Sequence, residues 1–154
     1  MGYLKAGDVI SGQEGSAFMT INGSNKEMFY LKTIEAKVEK EKADIKTLGK
    51  RMTQSKTTGA SGSGSMTIYA VTSEFAQMAV DFMKKGLDPY FTIKVTNEDP
   101  NSSIGRQTVL LKNVNLDSIP IANLDVDSEA LEQDVDFTFD DVDLLVKFGT
   151  PTLG

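Results

Sequence analysis

Asp134-Val135-Asp136-Phe137-Thr138-Phe139-Asp140 is the stretch on which the fold class turns. Apolar and polar residues alternate with a period of two. Val135, Phe137 and Phe139 therefore share one side of an extended chain, and the acids share the other. That pattern belongs to a strand of an antiparallel sheet with one face on a core and one in water. The same period recurs on both sides of it. Phe91, Ile93 and Val95 alternate with Thr92, Lys94 and Thr96. Gln107 to Leu116 reads as a strand whose continuous Val109-Leu110-Leu111 suggests burial on both faces. In Ser65 to Thr72, Met66, Ile68 and Ala70 alternate with Thr67, Tyr69 and Val71. Met28 to Val38 is a further strand, and its far end, Glu35 to Asp44, interleaves both signs of charge. That end reads either as a solvated strand extension or as a short helical piece. Ala17 to Asn22 alternates weakly and runs into Asn22-Gly23, a strong hairpin signal. Val142 to Phe148 either returns antiparallel or crosses the domain, and Leu124 to Leu131 is mixed.

A single helix interrupts the strands. Thr72 or Ser73 serves as N-cap, with Glu74 in the first turn. Phe75, Met78, Ala79 and Phe82 fall at i, i+3, i+4 and i+7, an apolar stripe that reads as core contact rather than a cofactor site. Lys84 and Lys85 close the last turn before Gly86. The sum is about seven strands and one helix: a mainly β (α+β) fold, an antiparallel sandwich or partly open barrel flanked by one helix. At 154 residues the chain makes one domain, 1–154.

Composition narrows the chemistry. Without Cys there is no disulfide, thiolate nucleophile or Cys-type zinc site, and without His there is no His-based triad or metal site. Trp is also absent. Asp125-x-Asp127-x-Glu129 begins like a calcium loop, but it lacks the glycine and the bidentate glutamate such a loop needs. Gly59, Gly62 and Gly64 lead into no Gly-Lys-Ser/Thr and make no phosphate loop. A carboxylate-pair hydrolase ranks last, and no cofactor or metal is expected. No apolar run is long enough to span a bilayer, and the opening residues carry no apolar signal-peptide core, so neither membrane insertion nor export is expected.

Charge is split along the chain. The first 60 residues hold 10 basic and 7 acidic side chains. Between Asn113 and Val146 there are 10 acids and no base, with Asp134, Asp136 and Asp140 on or beside the strand quoted above. Three readings stand: a solvated face, a surface that repels nucleic acid, and complementarity between copies, which orients association more than it strengthens it.

Residues 44–65 stand apart. They carry Lys46, Lys50, Arg51 and Lys56, the three large apolar residues Ile45, Leu48 and Met52, and then a Gly/Ser-rich run. An unstructured loop of this length is unusual in a compact domain unless it is functional. A linker between domains is the plain alternative, but the chain is short for two. The stretch therefore reads as a protruding basic loop that docks on a partner. It lacks the interleaved aromatics of a base-stacking site.

Several short runs together resemble a known family. They are Glu35-Ala36-Lys37-Val38-Glu39-Lys40, Gly49-Lys50-Arg51-Met52-Thr53, Lys56-Thr57-Thr58-Gly59-Ala60, Tyr69-x-Val71-Thr72-Ser73 and Lys84-Lys85-Gly86-x-Asp88-Pro89-Tyr90-Phe91-Thr92. Ile121-Ala122-x-Leu124-Asp125-Val126-Asp127-Ser128-Glu129-Ala130-Leu131-Glu132 and Phe137-Thr138-Phe139 complete them. In this order they resemble the XkdM-like phage tail tube family of contractile tails and PBSX-type prophages. The resemblance implies a small β-barrel or sandwich with a flanking helix, in homo-hexameric rings that stack into a tube. It further implies a tail sheath protein outside, a tape-measure protein and then DNA inside, and baseplate and tail terminator proteins at the ends. DNA would pass without specific binding, and the particle would be built in the bacterial host cytoplasm. A headless bacteriocin or secretion-type injection tube is the near alternative. A carbohydrate-binding β-sandwich is the alternative of another class.

Overall fold

The computed structural model describes residues 2–127 and 129–154. Among them are eight strands, one α-helix and a single 3-10 turn at Ala6–Asp8: β1 (Gly15–Ile21), β2 (Ser24–Glu27), β3 (Leu31–Ile45), β4 (Gln54–Tyr69), α1 (Glu74–Lys85), β5 (Phe91–Glu98), β6 (Arg106–Ser118), β7 (Glu132–Phe139) and β8 (Asp141–Val146). Every pairing is antiparallel. The sheet runs β2-β1-β5-β6-β7-β4-β3, with β8 beside β6, and it stays open at both ends. The strand beyond the expected seven is β2, four exposed residues that show no apolar period. It is held by the turn at Asn22 and Gly23, both at positive φ (50° and 80°), as the Asn-Gly signal requires.

β6 is the hinge of the architecture. Its first part lies between β5 and β8, and its last residues pair with β7. The handover occurs at Asn113, whose φ of 54° breaks the extended run. The Asn113 amide donates to Asp140 Oδ1 at 2.7 Å, fixing the bend where β7 passes into β8. An irregularity of this kind lets one strand serve two sheet directions. Val142 to Phe148 thus resolves as an antiparallel return beside β6, and Lys112 ties it down through Asp143 at 2.6 Å.

The core gathers residues from all along this sheet: Met19, Met66, Ile68, Ile93, Leu111, Val114, Val135, Phe137 and Phe139, with Phe75 of α1 above them. β7 behaves as its period demands, with Val135, Phe137 and Phe139 buried and the residues between them exposed. Met28 and Tyr30 are also buried, but they precede β3 rather than lying in it. Tyr30 packs edge-on against Phe75, ring centroids 6.0 Å apart. Burial, reinforced by the Glu74 carboxylate, pushes its phenol up to about 12.

Residues 7–16, Gly-Asp-Val-Ile-Ser-Gly-Gln-Glu-Gly-Ser, are rich in turn formers yet are pinned to the loop that follows β5. Asp8 is buried and accepts the Ser103 backbone N–H at 2.9 Å and its hydroxyl at 2.7 Å, bonds that hold its carboxyl below the usual range. Asp99, also buried, accepts the Ser11 N–H at 3.0 Å.

Candidate assembly interface

The stretch read as a basic loop is mostly a β-ribbon. β3 and β4 pair continuously from Leu31↔Ile68 out to Ile45↔Gln54, so only residues 46–53 form the turn. Glu35 to Asp44 is therefore a strand extension, not a helical piece. The Gly/Ser-rich residues 54–65 are strand as well. They show no apolar period because most of the ribbon has no buried face to impose one. β4 loses its second neighbour, β7, beyond Gly62. From Val38↔Gly62 to Ile45↔Gln54 the ribbon continues alone for seven residues of β3 and eight of β4, about 24 Å at strand rise. Two strands alone in water are marginal. Every β3 residue from Glu35 to Ile45 is exposed, and β3 leaves one edge unpaired.

At the tip, Gly49 adopts φ 84°, and Leu48 and Met52 stand 104% and 78% exposed. Ile45 is half-exposed at the ribbon's end. Lys46, Lys50, Arg51 and Lys56 are exposed, and none is in an ion pair among the described residues. The side chains that the sequence singles out here stand at the end of a paired ribbon that the sequence reading takes for a loop.

The acidic candidates separate. Asp134 and Asp136 lie on the exposed face of β7; Asp134 accepts the Thr67 hydroxyl at 2.8 Å. Across the strands this face is small and polar: Thr33, Thr67 and Asp134 in one row, Glu35, Ser65 and Asp136 in the next. Asp140 does not belong to the row. β7 ends at Phe139, and the bend turns Asp140 onto Asn113. Within one subunit, no ion pair among the described residues joins these acids to the tip. The Asp125 carboxylate accepts the Asp127 N–H at 3.0 Å, an ordinary turn; Ser128, in the same segment, lies outside the described residues.

The helix is bounded as expected, with Ser73 before it and Gly86 after it at φ 70°. Its apolar stripe is only half core. Phe75 is buried, Met78 packs against the core, Ala79 is half-buried, and Phe82 is 52% exposed. The sheet does not cover the helix's second half. There, Phe82 and Met83 border an open groove floored by Phe91 and Leu116.

An open antiparallel sheet with an unpaired edge and a projecting ribbon leaves strand surface on which another chain can pair. The family model described as phage tail tube protein matches residues 2–145, and the chain belongs to that family. It is 50% identical over 141 residues to the phage-like element PBSX protein XkdM of Bacillus subtilis (strain 168), covering 92% of this chain and 93% of that protein. Its fold matches a chain in the six-fold symmetrised cryo-EM structure of the anti-feeding prophage baseplate (TM-score 0.67, 10% identity, 89% of this chain and 95% of that one). It also matches one in the extended sheath–tube complex of the extracellular contractile injection system PVC (TM-score 0.64, 9% identity, 88% and 90%). Membership makes the chain a structural tail component rather than an enzyme, and replaces the carbohydrate-binding alternative.

Proposed function

We propose that copies of this chain form six-membered rings that stack into the inner tube of a contractile phage or phage-like tail, through which DNA passes. The observation that carries this is the ribbon: a ~24 Å arm with an exposed apolar tip gains stability only against another subunit. The free edges of β3 and β8 pair with neighbours around the ring, and closure removes the exposed-edge liability. Six-fold symmetry is carried over from the anti-feeding prophage baseplate, whose chain shares the fold. Repetition sums modest contacts, since each later one forms at high effective concentration. A sheath protein lies outside, by analogy with the sheath–tube complex, with baseplate and terminator proteins at the ends and a tape-measure protein in the unfilled lumen. Assembly takes place in the host cytoplasm. The fold likeness to injection systems favours a second cargo, an effector in place of DNA.

Electron microscopy of the purified full chain tests this. Six-fold rings or tubes are expected; a protein that stays monomeric at high concentration and with added tail extract overturns it.

A further inference from the structure

We propose that the open groove beside the second half of α1 is the seat for the ribbon tip of another copy of this chain. The proposal rests on the tube reading and names the surface that receives the ribbon.

The groove has a volume of about 480 Å³ and is lined by Met78, Phe82, Met83, Pro89, Leu116 and Ile119, with Asp88 and Asp117 at its rim. Phe82 and Met83 present large apolar area to water although the stripe they continue is core at Phe75. Covering such area removes it from water and so favours docking.

The ribbon tip is complementary in kind. Leu48 and Met52 are the exposed apolar side chains of residues 46–53, flanked by Lys46, Lys50 and Arg51. An apolar pair ringed by bases meets an apolar groove rimmed by acids, an arrangement that fixes register and disfavours wrong partners. Lys84 and Lys85 follow Met83 on the helix but do not line the groove. The tip cannot be serving its own groove, because Leu48 touches no part of its own subunit at 104% exposure. Two other surfaces among the described residues combine acids with exposed apolar side chains: β8, with Asp141, Val142, Asp143, Leu144 and Leu145, and the segment with Leu124, Asp125, Val126 and Asp127. On β8 the acids are already paired with Lys112; in the segment, Leu124 and Val126 themselves stand out in solvent, and the concavity beside them is walled mainly by Asn123, Asp125, Glu129, Glu132 and Asp134, too polar to take an apolar tip.

The chain has no cysteine, so engineered pairs report contacts cleanly. Leu48→Cys and Met83→Cys chains are prepared separately, assembled alone and as an equal mixture, and oxidised. Covalent dimers are expected in the assembled mixture and in neither chain alone. Tubes that give no such dimer, or that link Leu48→Cys to Val126→Cys instead, overturn the groove while leaving the tube reading intact. A wild-type chain that never assembles overturns both. Charge reversal gives an independent measure. Arg51→Glu and Asp117→Lys each lower the assembled fraction about tenfold, and the double variant recovers most of it. A double variant no better than either single one overturns the proposal.

Discussion

Two glycines in β4 set the packing of the core aromatics. A Cβ on Gly64 would lie 2.5 Å from the Phe137 ring and 2.5 Å from the Glu35 carbonyl oxygen; one on Gly62 would lie 2.5 Å from the Phe139 ring. The rings of β7 lie across the backbone of β4 because nothing stands there. In the sequence these glycines read as loop punctuation, since their partners, Phe137 and Phe139, are more than 70 residues away. Gly64→Ala is expected to cost about 1–3 kcal/mol through overpacking. Gly59→Ala, which would meet only the flexible end of Glu41, should be near neutral. Thermal denaturation of the two variants makes the comparison. Tyr30 yields a pH prediction. An unfolded tyrosine ionises near 10, whereas burial and Glu74 keep this one protonated to about 12. Its stability contribution is therefore whole below pH 10 and lost as pH rises from 10 to about 12. Denaturant titrations across that window should show the fall, and Tyr30→Phe should flatten it.

Among the elements, the helix and β7 were legible because a partner face imposes a period on each. The β3–β4 ribbon was legible only at its base, where Met66 and Ile68 are buried. Farther out, water meets both faces, so hydrophobicity carries no signal and hydrogen-bond pairing alone sets the structure. The same reasoning explains Phe82: its spacing marks it apolar, but spacing does not say which end of a helix the sheet reaches. Deleting residues 46–56 removes the tip and the ribbon's outer rungs, all of them exposed. The shortened chain should remain a folded monomer with a thermal midpoint close to wild type, yet form no tubes in electron micrographs or sedimentation. Normal tubes from it would leave the ribbon without an assembly role.

For the whole molecule, the charge split in the sequence becomes a division of surfaces: bases on the ribbon tip, and acids on the small polar face of β7 and on the segment before it. Asp134 and Asp136 are exposed with serine and threonine beside them, a face to which phosphates would not adhere and which we propose lines the lumen. Asp134→Lys with Asp136→Lys should leave folding unchanged and make DNA passage slower and salt-dependent, as ejection kinetics would record. Lost assembly with intact folding would instead assign these acids to the basic tips of neighbours. β4 has a mechanical consequence as well. It is one uninterrupted strand of 16 residues, free ribbon at one end and buried between β3 and β7 at the other. A pull on the tip along that strand loads the flanking hydrogen bonds side by side in shear, so they must fail together rather than unzip one by one. With the tip docked on another copy as proposed, a pull between the two subunits would be spread through each core instead of being concentrated at the joint.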